Sequence, residues 1–189
     1  MKTRDYHPRH AWDERLSLPH GSVERVVHGS QSWRQAQTGQ MSLSDYWADV
    51  ARQLQLTKAQ VEQLAEDFYS GDQLDDNLLY YIRQLRAEGY SVALLSNDSP
   101  ALSTRLHDLG IKAYFDPIVI SGNIGVMKPD PRAYQAALDA LQRPAHETIF
   151  IDDLPANIEG AAALGIHAVH YVDGMDLEST LQPLLNILS

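Results

Sequence analysis

Up to about residue 88, apolar positions recur every three or four residues, which is the spacing of one buried helical face. "SLSDYWADVARQL" opens on Ser42 with Asp45 three residues later, and "TKAQVEQLAEDFYSG" pairs Thr57 with Gln60 in the same way. Both are capping-box-like starts, and Gly71 stands where a helix-ending glycine is expected. Val61, Leu64, Ala65 and Phe68 form the inward face of the second of these helices. "DDNLLYYIRQLRAEG" predicts another helix, capped by Asp75 or Asp76 and ended by Gly89. "AWDERL" and "SVERVV" suggest shorter ones.

Beyond residue 90 the period changes. "SVALLS", "DPIVIS", "TIFI" and "HAVHYV" are short, nearly continuous apolar runs, and helical segments separate them. "PALSTRLHDL" begins with a proline and stops at Gly110; "PRAYQAALDAL" has Asp130 as its cap; "PANIEGAAAL" ends at Gly165; and "DLESTLQPLLNIL" closes the chain. Apolar strands alternating with helices predict an α/β fold with a parallel sheet covered on both faces.

In such sheets ligands gather beyond the carboxyl ends of the strands. The residues placed there are Ser96, Asn97 and Asp98 after one strand and Ser121 after the next. Asp152 and Asp153 follow the third, and Lys128 lies on the loop "SGNIGVMKPDP". Two adjacent carboxylates repel each other unless a cation joins them. Mg²⁺ suits such a pair, because it takes one or two carboxylates and fills its remaining positions with water and phosphate oxygens. An ammonium about 4 Å from a phosphate oxygen adds roughly 4 kcal/mol at an effective dielectric near 20. A hydroxyl at Ser96, beside the start of the helix expected at Pro100, donates to the same phosphoryl group. Each residue also has a structural reading, Ser96 as a helix cap, Lys128 as a solvated loop residue and the acidic pair as capping groups. Their convergence on one sheet edge is what points to phosphoryl chemistry.

Composition narrows the choice. The 189 residues carry 15 basic and 25 acidic side chains, a net charge of −10, which disfavours nucleic acid as a partner. With no cysteine, thiolate metal sites and cysteine nucleophiles are excluded. The eight histidines show no metal-ligand spacing, and Tyr46 and Trp47 read as core residues of an amphipathic helix. No apolar stretch approaches the roughly 20 residues of a membrane helix, and the start "MKTRDYHPRHAW" has no apolar signal region, so a cytoplasmic location is the default expectation.

"LLSND", "GVMKPDPRAY" and "IFIDDLPANIEGAAALG", in that order and spacing, resemble three motifs of the haloacid dehalogenase-like hydrolase superfamily. "KPDP" and "DDLPAN" are most similar to its phosphatase-type branch, which includes the N-terminal phosphatase domain of soluble epoxide hydrolases. The resemblance implies a Rossmann-like core over residues 73–189, an all-helical cap over 9–72 and a linker remnant over 1–8. It implies that Ser96 binds the phosphoryl group with Asn97 beside it, that Lys128 steadies nucleophile and phosphate, and that Asp152 and Asp153 hold Mg²⁺. Asn157 matches a recurrent position of this branch with no role attached. The implied activity is hydrolysis of a small phosphate ester through an aspartyl-phosphate.

One motif of that pattern is missing. The family begins with an apolar strand ending in a nucleophilic aspartate, whereas "MKTRDYHP" has neither apolar run nor glycine, and neither Asp5 nor Asp13 ends a strand. That strand lies centrally in the sheet, so its loss leaves two edges facing each other. The expectations are a Met1 internal to a longer reading frame, and a sheet that leaves a gap, closes it or associates through its edges into an oligomer. The alternatives are a non-catalytic phosphate- or metal-binding protein and a dehalogenase. A dehalogenase has no need of metal, so the acidic pair speaks against it.

Overall fold

The computed structural model describes residues 2–188. Five helices come first: α1 (His7–Arg15), α2 (Ser22–Val27), α3 (Gln31–Gln37), α4 (Leu43–Leu54) and α5 (Lys58–Ser70). A two-residue strand before them, β1 (Lys2–Thr3), pairs antiparallel with β2 (Asp72–Gln73) after them and closes the unit. The caps read from sequence form as expected. Ser42 Oγ accepts from Asp45 N, and Thr57 and Gln60 make both arms of a capping box. The inward faces meet in one core that contains Trp12, Val27, Trp33, Tyr46, Leu64 and Phe68. Tyr46 is wholly buried and its hydroxyl donates to Val27 O at 2.8 Å, so it serves packing.

Gly71 is the C-cap of α5, as its position suggests, but it is a glycine for a further reason. Its φ is −84°, which any residue adopts, but a Cβ there would lie 1.8 Å from Asp5 O. The amides of Arg4 and Asp5 both donate to Gly71 O, so the glycine is needed for close passage of the chain's start.

After α6 (Asp76–Ala87) the alternation begins: β3 (Leu94–Ser96), α7 (Leu102–Asp108), β4 (Ile118–Ile120), α8 (Ser121–Ile124) and α9 (Pro131–Leu141). Then follow β5 (Ile149–Asp152), α10 (Pro155–Ala162), β6 (His167–His170) and α11 (Leu177–Leu188). α7 starts two residues later than the sequence suggests. Pro100 and Ala101 form a turn, and Asp98 accepts from Ser99 N ahead of it.

β3 pairs parallel with β4, and β5 pairs parallel with β6, but among the described residues no strand joins β3 to β5. Leu94 N donates to Pro117 O, so Leu94 turns its backbone toward β4 and Leu95 turns its own away. On β5 the carbonyls of Thr148 and Asp152 accept from His167 and Tyr171, which leaves Ile149 and Ile151 facing the other way. Between these two edges lies a cleft of about 400 Å³. Tyr134 and Leu138 of α9 line it, as do Leu181 and Leu185 of α11. Ile151, a strand residue, is 36% exposed as a result. The cleft is a slot lined mostly by apolar side chains of the two strand edges and of α9 and α11. No helix of the described residues is long and apolar enough to cross a membrane.

Candidate active site

The site sits at the carboxyl ends of β3 and β5, at one mouth of the slot. Lys128, 8% exposed, is placed there by two reciprocal bonds: its N–H donates to Asn97 Oδ1 and its carbonyl accepts from Asn97 Nδ2, each at 2.8 Å. Its Nζ donates to Asp152 Oδ2 at 2.6 Å and to Leu95 O at 2.9 Å. The second of these satisfies a carbonyl on the unpaired edge of β3. A buried ammonium therefore binds both halves of the divided sheet.

Asp152 is oriented from its other oxygen, where Oδ1 accepts from Leu154 N and from Asn157 Nδ2, both at 2.9 Å. Burial pushes its carboxyl up, but hydrogen bonds from Lys128, Asn157 and the Leu154 amide outweigh it and hold the group below the ordinary carboxylate value. Asn157 is buried, and its own carbonyl accepts from Tyr134 Oη at 2.7 Å. The residue without an assigned role is thus the one that aims Asp152. Asp153 is exposed, and its carboxylate makes no hydrogen bond or ion pair with the described residues. Ser96 is half-buried at the end of β3, with an Oγ that bonds none of the described residues.

Asn97 acts mainly as a clamp between two loops. Asp98 pairs with Arg105 Nη2 at 3.0 Å, and burial raises its carboxyl although Arg105 opposes the shift. Ser121, fully buried, accepts from Asp98 N and donates to Asp98 O, tying the end of β4 to this loop. Asp5 and Asp13 are spent elsewhere. Asp5 accepts from His7 N, and Asp13 accepts from Gly21 N and Val23 N at the start of α2.

The cap closes over this edge. Gln37 Nε2 donates to Asn97 O at 2.9 Å, and Gly39 (φ +69°) passes so close to Gly122 O that a Cβ would stand 2.4 Å from it. Arg9, buried in the cap, bonds Phe68 O, Glu24, Thr3 and Asp72. Sequence reading singled out neither Arg9 nor Arg105, since both are isolated arginines whose partners are set by the tertiary fold.

For Mg²⁺ the donors fit. Asp153 offers a free carboxylate, Asp152 stands beside it in its charged form, and among the described residues no cluster of three or more acidic, histidine or cysteine side chains competes. Two carboxylates with water and phosphate are what this ion ordinarily accepts.

Residues 4–165 match the haloacid dehalogenase-like hydrolase family. The chain belongs to that family. A phosphatase of Mycobacterium tuberculosis is 34% identical over 134 residues, covering 67% of this chain and 59% of its own length. The bifunctional epoxide hydrolase 2 of Sus scrofa is 25% identical over 184 residues, covering 83% of this chain and 32% of that protein. This chain thus spans less than two thirds of either relative. Among solved structures, a haloacid dehalogenase family enzyme of Bacteroides thetaiotaomicron superposes with a TM-score of 0.79 at 19% identity, over 95% of this chain and 91% of that one. That enzyme was solved with magnesium and inorganic phosphate, and the likeness shows the fold.

Proposed function

We propose that this haloacid dehalogenase-like chain is the greater part of a Mg²⁺-dependent phosphatase acting on a small phosphate monoester. The observation that carries the reading is the buried Lys128–Asp152 pair at the slot mouth, with a free carboxylate at Asp153 and a free hydroxyl at Ser96 around it. Lys128 and Ser96 would hold the phosphoryl oxygens, Asn97 would fix the Lys128 loop, and Asn157 would fix Asp152. Mg²⁺, held by Asp152 and Asp153, would supply positive charge against the phosphate. An anionic substrate needs that charge in a chain with net charge −10.

Among the described residues Lys128 forms an ion pair with Asp152 alone. The attacking aspartate of the proposed aspartyl-phosphate route would be carried on an apolar strand filling the slot, supplied from outside these 189 residues. A second reading is favoured by the same observation: with no further carboxylate at Lys128, the chain by itself binds phosphate and metal without turnover.

Calorimetric titration of the 189-residue chain with inorganic phosphate, with and without Mg²⁺, tests the shared core of both readings. Phosphate binding is expected to require Mg²⁺, to fall at least tenfold in Asp153→Asn and to vanish in Lys128→Met. Binding that ignores both Mg²⁺ and Asp153 would sink the metal assignment.

A further inference from the structure

Both histidines of β6 spend a ring nitrogen on a backbone carbonyl. His167 Nε2 lies 3.1 Å from His146 O, at the end of the strand away from the site, and His170 Nε2 lies 3.0 Å from Asp153 O. A carbonyl only accepts, so each Nε2 carries the proton. The second bond falls inside the acidic pair on which the site is built.

It forms where the strand ladder runs out. The parallel register sets Asp152 opposite His170, and Tyr171 N donates to Asp152 O at 2.9 Å. Leu154 O is taken by α10, through the amides of Asn157 and Ile158. Asp153 O stands between the two and has no backbone donor among the described residues, so the imidazole supplies one. The same peptide is gripped on its other side, because Leu154 N donates to Asp152 Oδ1 at 2.9 Å. A peptide unit is planar, so holding its carbonyl also aims its N–H. Asp152 Oδ2 in turn accepts from Lys128 Nζ at 2.6 Å. One imidazole on an exposed strand end therefore reaches the buried ion pair through a single peptide, and it fixes the backbone from which the free Asp153 carboxylate projects.

We propose that His170 is a positioning residue for the acidic pair, holding the Asp153–Leu154 peptide so that Asp152 and Asp153 stand ready for one cation; that the cation is Mg²⁺ rests on the function proposed above. A histidine at an exposed strand end that served only solubility would need nothing at Nε2. Positioning needs a donor at that one place. Glutamine sets its amide nitrogen close to where histidine carries Nε2, whereas phenylalanine keeps a ring and loses the donor, so the two replacements separate a donor role from a packing role.

The test is an NMR titration of the 189-residue chain with Mg²⁺, followed at the Asp153 and Leu154 amides, in the parent, His170→Phe and His170→Gln. His167→Phe, which removes the same kind of bond at the other end of β6, is the control. His170→Phe is expected to raise the Mg²⁺ midpoint about fivefold, as the loss of one hydrogen bond does. His170→Gln and His167→Phe should stay close to the parent. Without metal, solvent exchange of the Leu154 amide should quicken about fivefold in His170→Phe and recover in His170→Gln, while the Tyr171 amide is unchanged. A His170→Phe midpoint equal to the parent's, or a glutamine variant as weak as the phenylalanine one, overturns the positioning role and leaves the metal site standing. A parent chain that does not respond to Mg²⁺ overturns the metal assignment instead. In that case Leu154 exchange decides the role of His170: loss of protection in His170→Phe with recovery in His170→Gln upholds it, and an unchanged rate overturns it.

Discussion

The cap and the α/β half solve the same problem with different success. Every cap helix finds its apolar partner among its neighbours, and the core from Trp12 to Phe68 closes on itself. The α/β half buries its strands less completely, since β3 and β5 are at best half-buried and Ile151 is exposed, and its sheet stays divided, with the β3 and β5 edges across a cleft. Helices satisfy their backbones internally, whereas a strand depends on a neighbour. An unfilled strand position between β3 and β5 therefore opens the sheet and leaves the helical cap intact. What holds the opening is polar: Lys128 bridges Leu95 O and Asp152 across the mouth, and Asn157 steadies the far side.

That contrast is sharpened first at Lys128. Lys128→Met strands a buried carboxylate and frees the Leu95 carbonyl, for an expected loss of about 3–5 kcal/mol in urea denaturation. Asp152→Asn, made with it, should recover part of that loss. In the cap, Leu64→Ala should cost about 3 kcal/mol through the cavity it leaves. Hydrogen exchange should show faster opening in α4 and α5 for this variant and an unchanged β5–β6 pair; equal acceleration everywhere would mean that the two regions unfold as one.

pH separates the regions again. Unfolded, His28 titrates near 6.5, and in the folded cap near 4. The stability gained by keeping the ring neutral is therefore full above pH 6.5 and drains away as pH falls toward 4, by about 3 kcal/mol. Asp152, whose folded carboxyl lies below its ordinary value, contributes above the unfolded carboxylate pKa and loses that contribution at still lower pH. A urea midpoint that drops between pH 6.5 and 4 in the parent but stays flat in His28→Gln would bear this out. The smallest effect is expected at a surface cap: Thr57→Ala removes one arm of the capping box and should cost about 1 kcal/mol.

Much of this was legible from residues alone, for reasons that differ by element. Ser42, Thr57 and Asp130 announce their helices because capping is a local hydrogen bond, and all three accept from the amides expected of them. The four apolar runs of the second half announce strands, and motif spacing brings Ser96, Lys128 and Asp152 to one edge. α3 was not read, because its seven residues bury only Ser32, Trp33 and Ala36, too few for a period to show. The role of Asn157 was hidden, since its bond to Asp152 depends on how α10 leaves β5. Arg9 and Arg105 were hidden more deeply; Arg9 reaches Asp72 across 63 residues, and no local pattern encodes that.

The central claim is that the slot mouth is a phosphatase site lacking only a strand and its aspartate. The most direct test appends a flexible linker and an apolar strand ending in aspartate ahead of residue 1, then measures hydrolysis of p-nitrophenyl phosphate. The expected result is Mg²⁺-dependent turnover, lost when that aspartate becomes asparagine and in Asp153→Asn, with β3 and β5 amides newly protected from exchange. Protected strands without turnover would show that the slot accepts its strand and that the site beside it is not a phosphatase.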